Sequence, residues 1–454
     1  MEHLTPQKIA EIANGEYIGS NPGRSTFITG AARDNREVKQ GDLFVCVRGA
    51  RTDGHLYANE AFRSGAACCL AERTIPDAKG PYVLVESTLD AVKQVAGYYR
   101  RQFDIPVIGV TGSVGKTTTK ELVSAVVGAK FKVHKTEGNL NNELGVPLTL
   151  LALKEWHEAS VIEMGISGFG EMGRLAGMVR PDIFIITKVG YSHIDELGDL
   201  NGVLKAKTEA IAYMGPDGIA ILNGDDALLY EYDPGMRKIT FGLERHNNYR
   251  AENIRMEGMD YVAFETANDM ERFPVRIPAY GNHIPQMALP AIIVGKLLGL
   301  SNGEICSGLL AFTPVSGRAD MCDTGYVTLI NDSYNANPHS VESALTSLSS
   351  LPGRHVAILG DMLGLGALSD GLHREVGGFC ADAGIDALIC CGEKAAHIRD
   401  AFKAAGGNVA HYYPDKTGLI KALPGLIKKG DAVLVKASHG MQFEELIPVL
   451  KELA

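Results

Sequence analysis

The chain has 454 residues, a length that favours about three domains because single hydrophobic cores stop growing well below it. Hydrophobic residues make up 45% and charged residues 22% of the sequence, which is typical of a globular protein and argues against disorder. The formal net charge of -10 argues against a general nucleic-acid-binding protein, although it leaves room for local basic pockets that bind anionic ligands.

Cysteine usage and the N-terminal residues indicate where the protein works. The eight cysteines show neither the density of a disulfide framework nor the spacing of zinc ligands, which favours a reducing compartment. The opening stretch MEHLTPQKIAEIANG predicts an amphipathic helix with Pro6 near its start rather than a signal peptide. No apolar run approaches the roughly 20 residues needed to span a bilayer. We therefore expect a cytoplasmic protein without membrane insertion.

Residues 1–103 mix short strands with helices and predict a small mixed α/β N-terminal domain. Its apolar run at 43–47 predicts a buried strand, and residues 57–64 predict a helix. The polar stretch 100–104, followed by Pro106, indicates a linker to the next domain.

From Pro106 the sequence alternates strand and helix signals, beginning with PVIGV, a glycine-rich turn and an amphipathic helix. One face of that helix carries Leu122, Val123, Val126 and Val127. Apolar runs at 160–164, 182–187 and 219–222 continue the alternation, which predicts a mostly parallel sheet flanked by helices. Residues 104–313 are therefore predicted to form a central mononucleotide-binding α/β domain of the P-loop type.

Residues 314–454 repeat the rhythm with VTLIND, HVAILGD, ALICCG and AVLVKAS, each followed by a helical stretch. Asn337 and Pro338 are suited to the N-cap and first position of one of these helices. This pattern predicts a C-terminal Rossmann-like α/β domain.

The clearest chemical signal is GVTGSVGKTTTKEL, which places Gly112, Gly115, Lys116 and Thr117 between a predicted strand and a predicted helix. Such a turn surrounds a phosphate with backbone N–H groups, while the lysine reaches the β- and γ-phosphates and the threonine holds Mg²⁺. The spacing G-x-x-x-x-G-K-[ST] is incomplete because Val110 occupies the first glycine position. The alternative is a glycine-rich turn without a ligand.

Glu163 and His193 follow apolar runs, so both are predicted at the carboxyl ends of parallel strands, where open α/β sheets bind ligands. A carboxylate at that edge is suited to hold a metal ion through the phosphates of a nucleotide. A structural ion pair for Glu163 and a structural role for His193 are the alternatives.

Lys207 lies on the apolar face of a predicted helix, whereas Lys205 lies on the opposite face. Burial of an uncompensated charge is costly, so an inward lysine needs a partner or a modification. The alternative is an aliphatic stem along the core with its ammonium group in solvent.

These features resemble the Mur ligase family, which joins amino acids or dipeptides to UDP-N-acetylmuramoyl peptides. The resemblance rests on TGSVGKTTTK, EGNLNNELGVPLTLL, Glu163, His193 with Asp195, KAKTEA around Lys207, and SGR at 316–318. Other stretches are most similar to the members that add D-alanyl-D-alanine, namely RDNREVKQGDLFVCVRG, DGH at 53–55, NDSYNANPHSV at 331–341 and ILGDMLGLG at 358–366.

The resemblance implies an ATP-dependent, Mg²⁺-requiring ligase that adds D-alanyl-D-alanine to UDP-N-acetylmuramoyl tripeptide through an acyl phosphate. It implies catalytic roles for Lys116, Glu163, His193 and Lys207, with Lys207 carbamylated and with Thr117, Glu163 and His193 as metal ligands. The residues implied to bind ATP are Thr111, Gly112, Ser113, Val114, Gly115, Lys116, Thr117, Thr118, Asn223, Asp225, Arg318 and Asp332. Those implied to bind the other substrates are Asp34, Arg36, Asp53, Gly54, His55, Asn139, Asn142, Tyr334, Asn335 and Asn337.

The sequence departs from the family pattern at four positions. Ile284 and Met287 stand where asparagines are usual, so the amides that the resemblance implies for adenine-side contacts are missing there. Asn35 replaces a common serine, and Gly364 replaces a common glutamate. Two alternatives stay open: a sister Mur-type or folate-type ligase that adds a single amino acid, and a nucleotide-dependent switch that makes no bond. We expect a monomer that binds no nucleic acid.

Overall fold

The structure is a computed structural model that describes residues 4–19, 27–49 and 52–453. Its three sheets, each with helices packed against it, confirm the predicted three-domain α/β fold. Residues 1–3 of the predicted first helix and residues 50–51 of the stretch before DGH lie outside the described residues.

The N-terminal domain contains a five-stranded sheet in the order β1-β5-β4-β3-β2, counted over its described residues. Its strands are β1 (Glu16–Ile18), β2 (Ala31–Ala32), β3 (Leu43–Val45), β4 (Cys68–Ala71) and β5 (Tyr82–Leu84), and its helices are α1 (Pro6–Ile12), α2 (Ala58–Arg63) and α3 (Thr88–Arg100). Only β1 is antiparallel to its neighbour. The predicted strand at 43–47 is shorter than expected, and the predicted helix at 57–64 is preceded by the 3-10 turn Gly54–Tyr57, which the Asp53 side chain caps.

The central domain contains a nine-stranded sheet in the order β14-β13-β12-β11-β10-β9-β6-β8-β7. The strands are β6 (Val107–Thr111), β7 (Val133–Lys135), β8 (Ala159–Glu163), β9 (Ile183–Ile186), β10 (Ile219–Asn223), β11 (Arg237–Gly242), β12 (Tyr249–Glu257), β13 (Tyr261–Ala267) and β14 (Arg272–Ile277). The helices are α4 (Lys116–Gly128), α5 (Gly145–Leu151), α6 (Glu171–Val179), α7 (Ile194–Leu197), α8 (Leu200–Thr208), α9 (Ala227–Glu231), α10 (Ile284–Leu297) and α11 (Asn302–Leu310).

The strands β6 to β12 all pair in parallel with their neighbours in this group. The strands β13 and β14 extend the sheet beyond β12 as an antiparallel edge. The strand β6 lies between β9 and β8 inside the parallel part of the sheet and is wholly buried, so the loop that follows it opens at the carboxyl edge of that part. The predicted apolar face of α4 is confirmed, because its four residues are fully buried against β6 and α10. Because β6 and α4 are both held in the core, the glycine-rich turn that joins them has a fixed position.

The C-terminal domain has strand order β15-β16-β20-β17-β18-β19, with only β15 antiparallel. Its strands are β15 (Asp320–Asp323), β16 (Thr328–Asn331), β17 (His355–Gly360), β18 (Ala387–Cys391), β19 (Ala410–Tyr413) and β20 (Ala432–Lys436). Its helices are α12 (Pro338–Ser349), α13 (Ser369–Asp382), α14 (Ala395–Ala404), α15 (Lys416–Leu426) and α16 (Leu446–Lys451). The predicted boundaries at 103/104 and 313/314 follow α3 and α11 and stay predictions.

Two sequence expectations concern the whole molecule. All eight cysteines are free thiols, five of them fully buried in strands or at their ends. Among the helices that the structure describes, none combines the length and the apolar character needed to cross a membrane.

Candidate active site

A cleft of about 500 Å³ lies between the central and C-terminal domains. It is built where the carboxyl ends of β6 and β8 face the ends of β16 and β20, which is the edge where parallel sheets bind ligands. The predicted site residues that line it are Gly112, Ser113, Val114, Gly115, Lys116, Thr118, Asn142, Glu163, His193, Lys207, Arg318, Asp332, Tyr334, Asn335 and Asn337. The fold therefore brings most of the predicted ATP-site residues to one place.

The glycine-rich turn adopts a conformation that only glycine tolerates at two points. Gly112 has φ +147°, and a Cβ atom there would lie 1.9 Å from Thr187 Oγ1. Gly115 has φ +82° and forms the N-cap of α4, so the first N–H groups of that helix are directed into the cleft. The Lys116 ammonium group donates to the Gly112 carbonyl at 2.8 Å, which folds the lysine back over the turn. This geometry suits a phosphate group.

Thr117 and Glu163 form a buried, hydrogen-bonded pair of oxygen-bearing side chains behind the turn. The Thr117 hydroxyl donates to Glu163 Oε2 at 2.8 Å, and the Asn141 amide donates to Oε1 at 2.8 Å. The Glu163 backbone N–H donates to the Thr136 hydroxyl at 2.9 Å. With Glu163 fully buried, its carboxylate is held in a single orientation.

Three basic side chains line the same cleft as this carboxylate. Burial lowers the pKa of Lys116, an effect that the nearby Glu163 carboxylate partly offsets. Burial, and then the charge of Lys116, lowers the pKa of Lys207 well below its usual value. His193 lies on the cleft surface, where partial burial and then the two lysines lower its pKa. These basic side chains suit the cleft to an anionic ligand.

Lys207 matches the prediction of an inward lysine on α8. Its side chain is only 3% exposed, and the described residues offer its amine neither a hydrogen bond nor an ion pair. Lys207 is buried and also helps to line the cleft, so its inward position agrees with the expectation, and a partner or modification of its amine stays a prediction. Lys205 lies on the outer face of α8, with its ammonium group 5.9 Å from the centre of the Phe169 ring.

The donor set fits Mg²⁺, which prefers about six oxygen ligands and retains several waters and phosphate oxygens. Thr117 and Glu163 present oxygens beside the turn, and His193 lines the same cleft. No three His, Cys, Asp and Glu side chains gather as a self-sufficient metal site within the described ranges. The remaining ligands would come from a nucleotide and water.

Asn223 and Asp225, predicted to bind ATP, are not among the residues that line the cleft. The Asn223 amide donates to the Thr187 carbonyl at 2.8 Å, which braces the segment behind Gly112. Asp225 accepts from the backbone N–H groups of Leu243 and Glu244 at 2.6 and 3.1 Å. Asp225 also accepts from the Gln286 amide at 2.7 Å. A nucleotide contact for this pair stays a prediction.

The C-terminal wall of the cleft is a stack of three side chains. The Arg318 guanidinium lies 3.9 Å from the centre of the Tyr334 ring, and the His439 ring stacks on Tyr334 at 5.2 Å. Asn335 is exposed in the cleft. The side-chain oxygen Oδ1 of Asn337 accepts from Ser340 N at 2.9 Å and so caps α12, as the sequence predicts. Its amide donates to Ser192 Oγ of the central domain at 3.4 Å.

The predicted N-terminal substrate residues form a separate polar group outside the cleft. Asp34 caps the turn Asn35–Glu37 and binds the exposed Arg36 guanidinium, which lowers the Asp34 pKa to about 2. His55 Nε2 accepts from the Glu72 backbone N–H at 2.9 Å, so its Nδ1–H donates to Asp53 at 2.6 Å. Gly54 packs against the backbone of Val47.

Two further predicted residues lie in the EGNLNNELG stretch. Asn139 is exposed, and its carbonyl accepts from Asn141 N at 2.7 Å. The Asn142 side chain accepts from Gly145 N at 2.8 Å at the start of α5. Thr111, at the end of β6, donates its hydroxyl to the Met164 carbonyl at 2.7 Å and lies behind the cleft.

The departures from the family pattern have visible consequences. Ile284 is a core residue at the start of α10, and the Met287 side chain lies against Gly115 and lines the cleft. Gly364 has φ +72°, and its carbonyl accepts from Ile194 N at 3.2 Å beside His193. An apolar thioether therefore occupies part of the wall where the family pattern has an amide.

Sequence reasoning missed Asn141, Lys436 and His439. Lys436 is 2% exposed, and its ammonium group donates to Asp332 Oδ2 at 2.5 Å. The signal was available, since Lys436 ends the apolar run AVLVK as Glu163 ends its own run. Asn141 is one of several adjacent asparagines, and only the fold shows which amide reaches Glu163.

Comparison with known proteins agrees with this geometry. Three family models match the chain: "Mur ligase family, catalytic domain" at residues 28–100, "Mur ligase middle domain" at 110–295 and "Mur ligase, glutamate ligase domain" at 317–439. The UDP-N-acetylmuramoyl-tripeptide--D-alanyl-D-alanine ligase of Bacillus subtilis (strain 168) is 36% identical over 99% of this chain and 98% of its own.

Solved structures agree as well. A crystal structure of MurF from Acinetobacter baumannii is 28% identical, with a TM-score of 0.90, and covers 99% of this chain and 98% of its own. MurF ligase from Thermotoga maritima in complex with ADP is 28% identical, with a TM-score of 0.84, over 94% of this chain and 98% of its own. With its three domains, phosphate-binding turn and full-length relatives, this chain belongs to the Mur ligase family.

Proposed function

We propose that the protein is the ATP-dependent ligase that joins D-alanyl-D-alanine to UDP-N-acetylmuramoyl tripeptide, giving the pentapeptide precursor, ADP and phosphate. The observation that carries this proposal is the convergence of Lys116, the Thr117–Glu163 pair and the inward Lys207 on one cleft. The name and 36% identity of the Bacillus subtilis relative support the choice of substrates.

In the proposed first step, the terminal carboxylate of the tripeptide attacks the γ-phosphorus of ATP, and the bond from that phosphorus to the ADP oxygen breaks. Lys116 donates to the phosphate oxygens as their charge redistributes, and the N–H groups at the start of α4 orient them. Mg²⁺, held through Thr117, Glu163 and His193, would supply charge neutralisation to the phosphates. Positioning and electrostatics carry this step.

In the second step, the free amine of D-alanyl-D-alanine attacks the acyl carbon of the acyl phosphate. The tetrahedral intermediate then loses phosphate with cleavage of the carbon–oxygen bond, and the surplus amine proton passes to solvent. Tyr334, Asn335 and Asn337, which line the C-terminal wall, are placed to hold the dipeptide against the reacting carbon. The two domains that form the cleft must exclude water, since water would hydrolyse the acyl phosphate.

The environment of Lys207 supports its proposed carbamylation. A neutral amine is the form that adds carbon dioxide, and burial together with Lys116 lowers the pKa of Lys207 towards that form. The carbamate would carry a negative charge beside Lys116 and would present oxygens to the metal ion. An ammonium group in the same place would repel a cation and offers no lone pair.

The remaining elements of the proposal concern substrate location and compartment. Asp34, Arg36 and the turn at Asp53, Gly54 and His55 are proposed to bind the UDP group in the N-terminal domain. Free thiols and the use of ATP support a cytoplasmic site of action. A monomer with three closing domains is sufficient for the reaction.

The test is phosphate release by the purified protein with ATP, Mg²⁺, UDP-N-acetylmuramoyl tripeptide and D-alanyl-D-alanine, each omitted in turn. Release that requires all four, together with a pentapeptide product by mass, is the expected result. Release with a single amino acid in place of the dipeptide would favour a sister ligase. Nucleotide turnover that is indifferent to both peptides would favour a switch.

A further inference from the structure

We propose that Lys436 is a positioning residue that holds the linker 311–319, between α11 and β15, in the geometry that delivers Arg318 to the nucleotide. The inference rests on the proposed function only for the identity of the nucleotide. Lys436 ends β20 on the C-terminal side of the cleft, across from the phosphate-binding turn.

The first step is the anchoring of the turn after β16. The buried Lys436 ammonium group donates to Asp332 Oδ2 at 2.5 Å and to the Asn335 carbonyl at 2.8 Å. These two contacts tie both ends of the segment 332–335 to the end of the neighbouring strand. The Lys436 side chain is only 2% exposed, and its ammonium group makes both of these contacts within one turn.

The second step joins that turn to the linker. Asp332 Oδ1 accepts from Ala319 N at 3.0 Å, and Tyr334 N donates to the Gly317 carbonyl at 3.0 Å. Ala319 has φ +53°, a left-handed conformation that costs an alanine free energy and that its surroundings must hold. The linker segment 317–319 thus takes its shape from the turn that Lys436 anchors.

The third step reaches the cleft. Arg318 lies between the two fixed residues Gly317 and Ala319, and its guanidinium rests on the Tyr334 ring at 3.9 Å. The charge of Arg318 is close enough to contribute to the lowered pKa of Lys116 on the opposite wall. Both cations therefore face the same anionic ligand, and the chain from Lys436 through Asp332 determines where one of them stands.

The consequence is specific to one substrate. Without the Lys436 charge, the Asp332 carboxylate loses its cation, and the linker loses the contact that holds Ala319. Nucleotide affinity should fall, whereas the N-terminal residues proposed to bind UDP lie outside this network. A general loss of stability would instead weaken both ligands alike.

The experiment measures the affinity of full-length protein for Mg²⁺–ADP and for UDP-N-acetylmuramoyl tripeptide by calorimetry. Lys436→Met and Lys436→Gln should weaken ADP binding by about tenfold or more, since each removes the positive charge that faces Asp332. Affinity for the UDP substrate should stay at the wild-type value. Lys436→Arg should recover part of the loss, and Lys429→Met, at an exposed lysine before the same strand, should bind both ligands normally.

A double-mutant cycle tests the route through Asp332. In the Asp332→Asn background, Lys436→Gln should cost little more ADP affinity, because its partner is already altered. Wild-type ADP affinity in Lys436→Gln, equal losses for both ligands, or fully additive losses in the cycle would each overturn the inference. If Lys436→Met fails to fold, the glutamine and arginine variants decide.

The two proposals fail separately. A wild-type protein that binds ADP but forms no pentapeptide would refute the proposed function and leave the role of Lys436 to the binding data. A wild-type ligase whose Lys436→Gln variant binds ADP normally would refute only the role of Lys436.

Discussion

Replacement of Glu163 by glutamine separates the electrostatic role of this residue from its place in the fold. Glutamine keeps the shape of the side chain and can keep both contacts. Its oxygen can accept from the Asn141 amide, and its NH₂ group can donate to the Thr117 hydroxyl, which rotates to accept. The variant therefore differs from wild type mainly by one negative charge.

The expected magnitudes follow from this comparison. Both side-chain hydrogen bonds persist and a fully buried charge is removed, so the melting temperature should change by no more than about 2–4 °C, equivalent to about 1 kcal/mol. Ligation should fall by about 10²–10³-fold, the usual cost of one preorganised electrostatic group. The charge on Lys116 also loses the carboxylate that supports it.

The assay is pentapeptide formation at saturating substrates over a series of Mg²⁺ concentrations, with thermal melting of the same samples. Glu231→Gln, at an exposed glutamate at the end of α9, serves as the matched control. A Glu163→Gln enzyme with near-wild-type turnover and an unchanged Mg²⁺ requirement would refute the assignment. A large fall in melting temperature would show that the carboxylate serves the fold instead.

Three further perturbations address other parts of the molecule. Lys207→Ala should abolish ligation while the protein still binds ADP. Added short carboxylic acids should restore some turnover if a carbamate is the active form. A folded variant that no acid rescues would count against carbamylation. Arg36→Ala should raise the KM for the UDP substrate and leave ADP binding unchanged, because this exposed side chain lies outside the cleft. Burial lowers the His339 pKa to about 4 in the folded protein. As the pH falls from about 6.5 to 4, the unfolded chain therefore binds a proton at His339 before the folded protein does, and the free energy of unfolding falls by up to about 3 kcal/mol. His339→Phe should keep its packing on Tyr191 and show a smaller fall in melting temperature over that range; an identical fall would contradict the assigned cause.

The fold was predictable where local patterns and burial agree. The strand before Gly112 and the apolar face of α4 appear at the expected positions. The strand is buried along its whole length and the helix along one face, and both kinds of burial leave a clear apolar pattern in the sequence. Boundaries were less accurate where side chains capped turns. Asp53 caps a 3-10 turn before α2 by accepting from His55 N two residues on, a local turn signal that hydrophobic periodicity does not report.

The site was predictable to the extent that chemistry lies at strand ends. Glu163, His193 and Lys207 were each singled out from position, and the structure places all three around one cleft. Contacts between distant segments were not predictable. Asn141 reaches Glu163 across 22 positions of sequence, and Lys436 reaches Asp332 across 104, so neither pairing has a local signature.

The two unforeseen contacts share a physical logic with the predicted site. An asparagine amide orients Glu163 on the central wall, and a buried lysine orients Asp332 on the C-terminal wall. Each acidic group thus receives donors from its own domain, which fixes it before a ligand arrives. Transfer of a phosphoryl group needs charges that are already in place, because reorganisation during the reaction adds to the barrier. These buried polar contacts therefore hold the Glu163 and Asp332 carboxylates in one arrangement before the reaction, and loss of either donor should slow the reaction although both carboxylates remain.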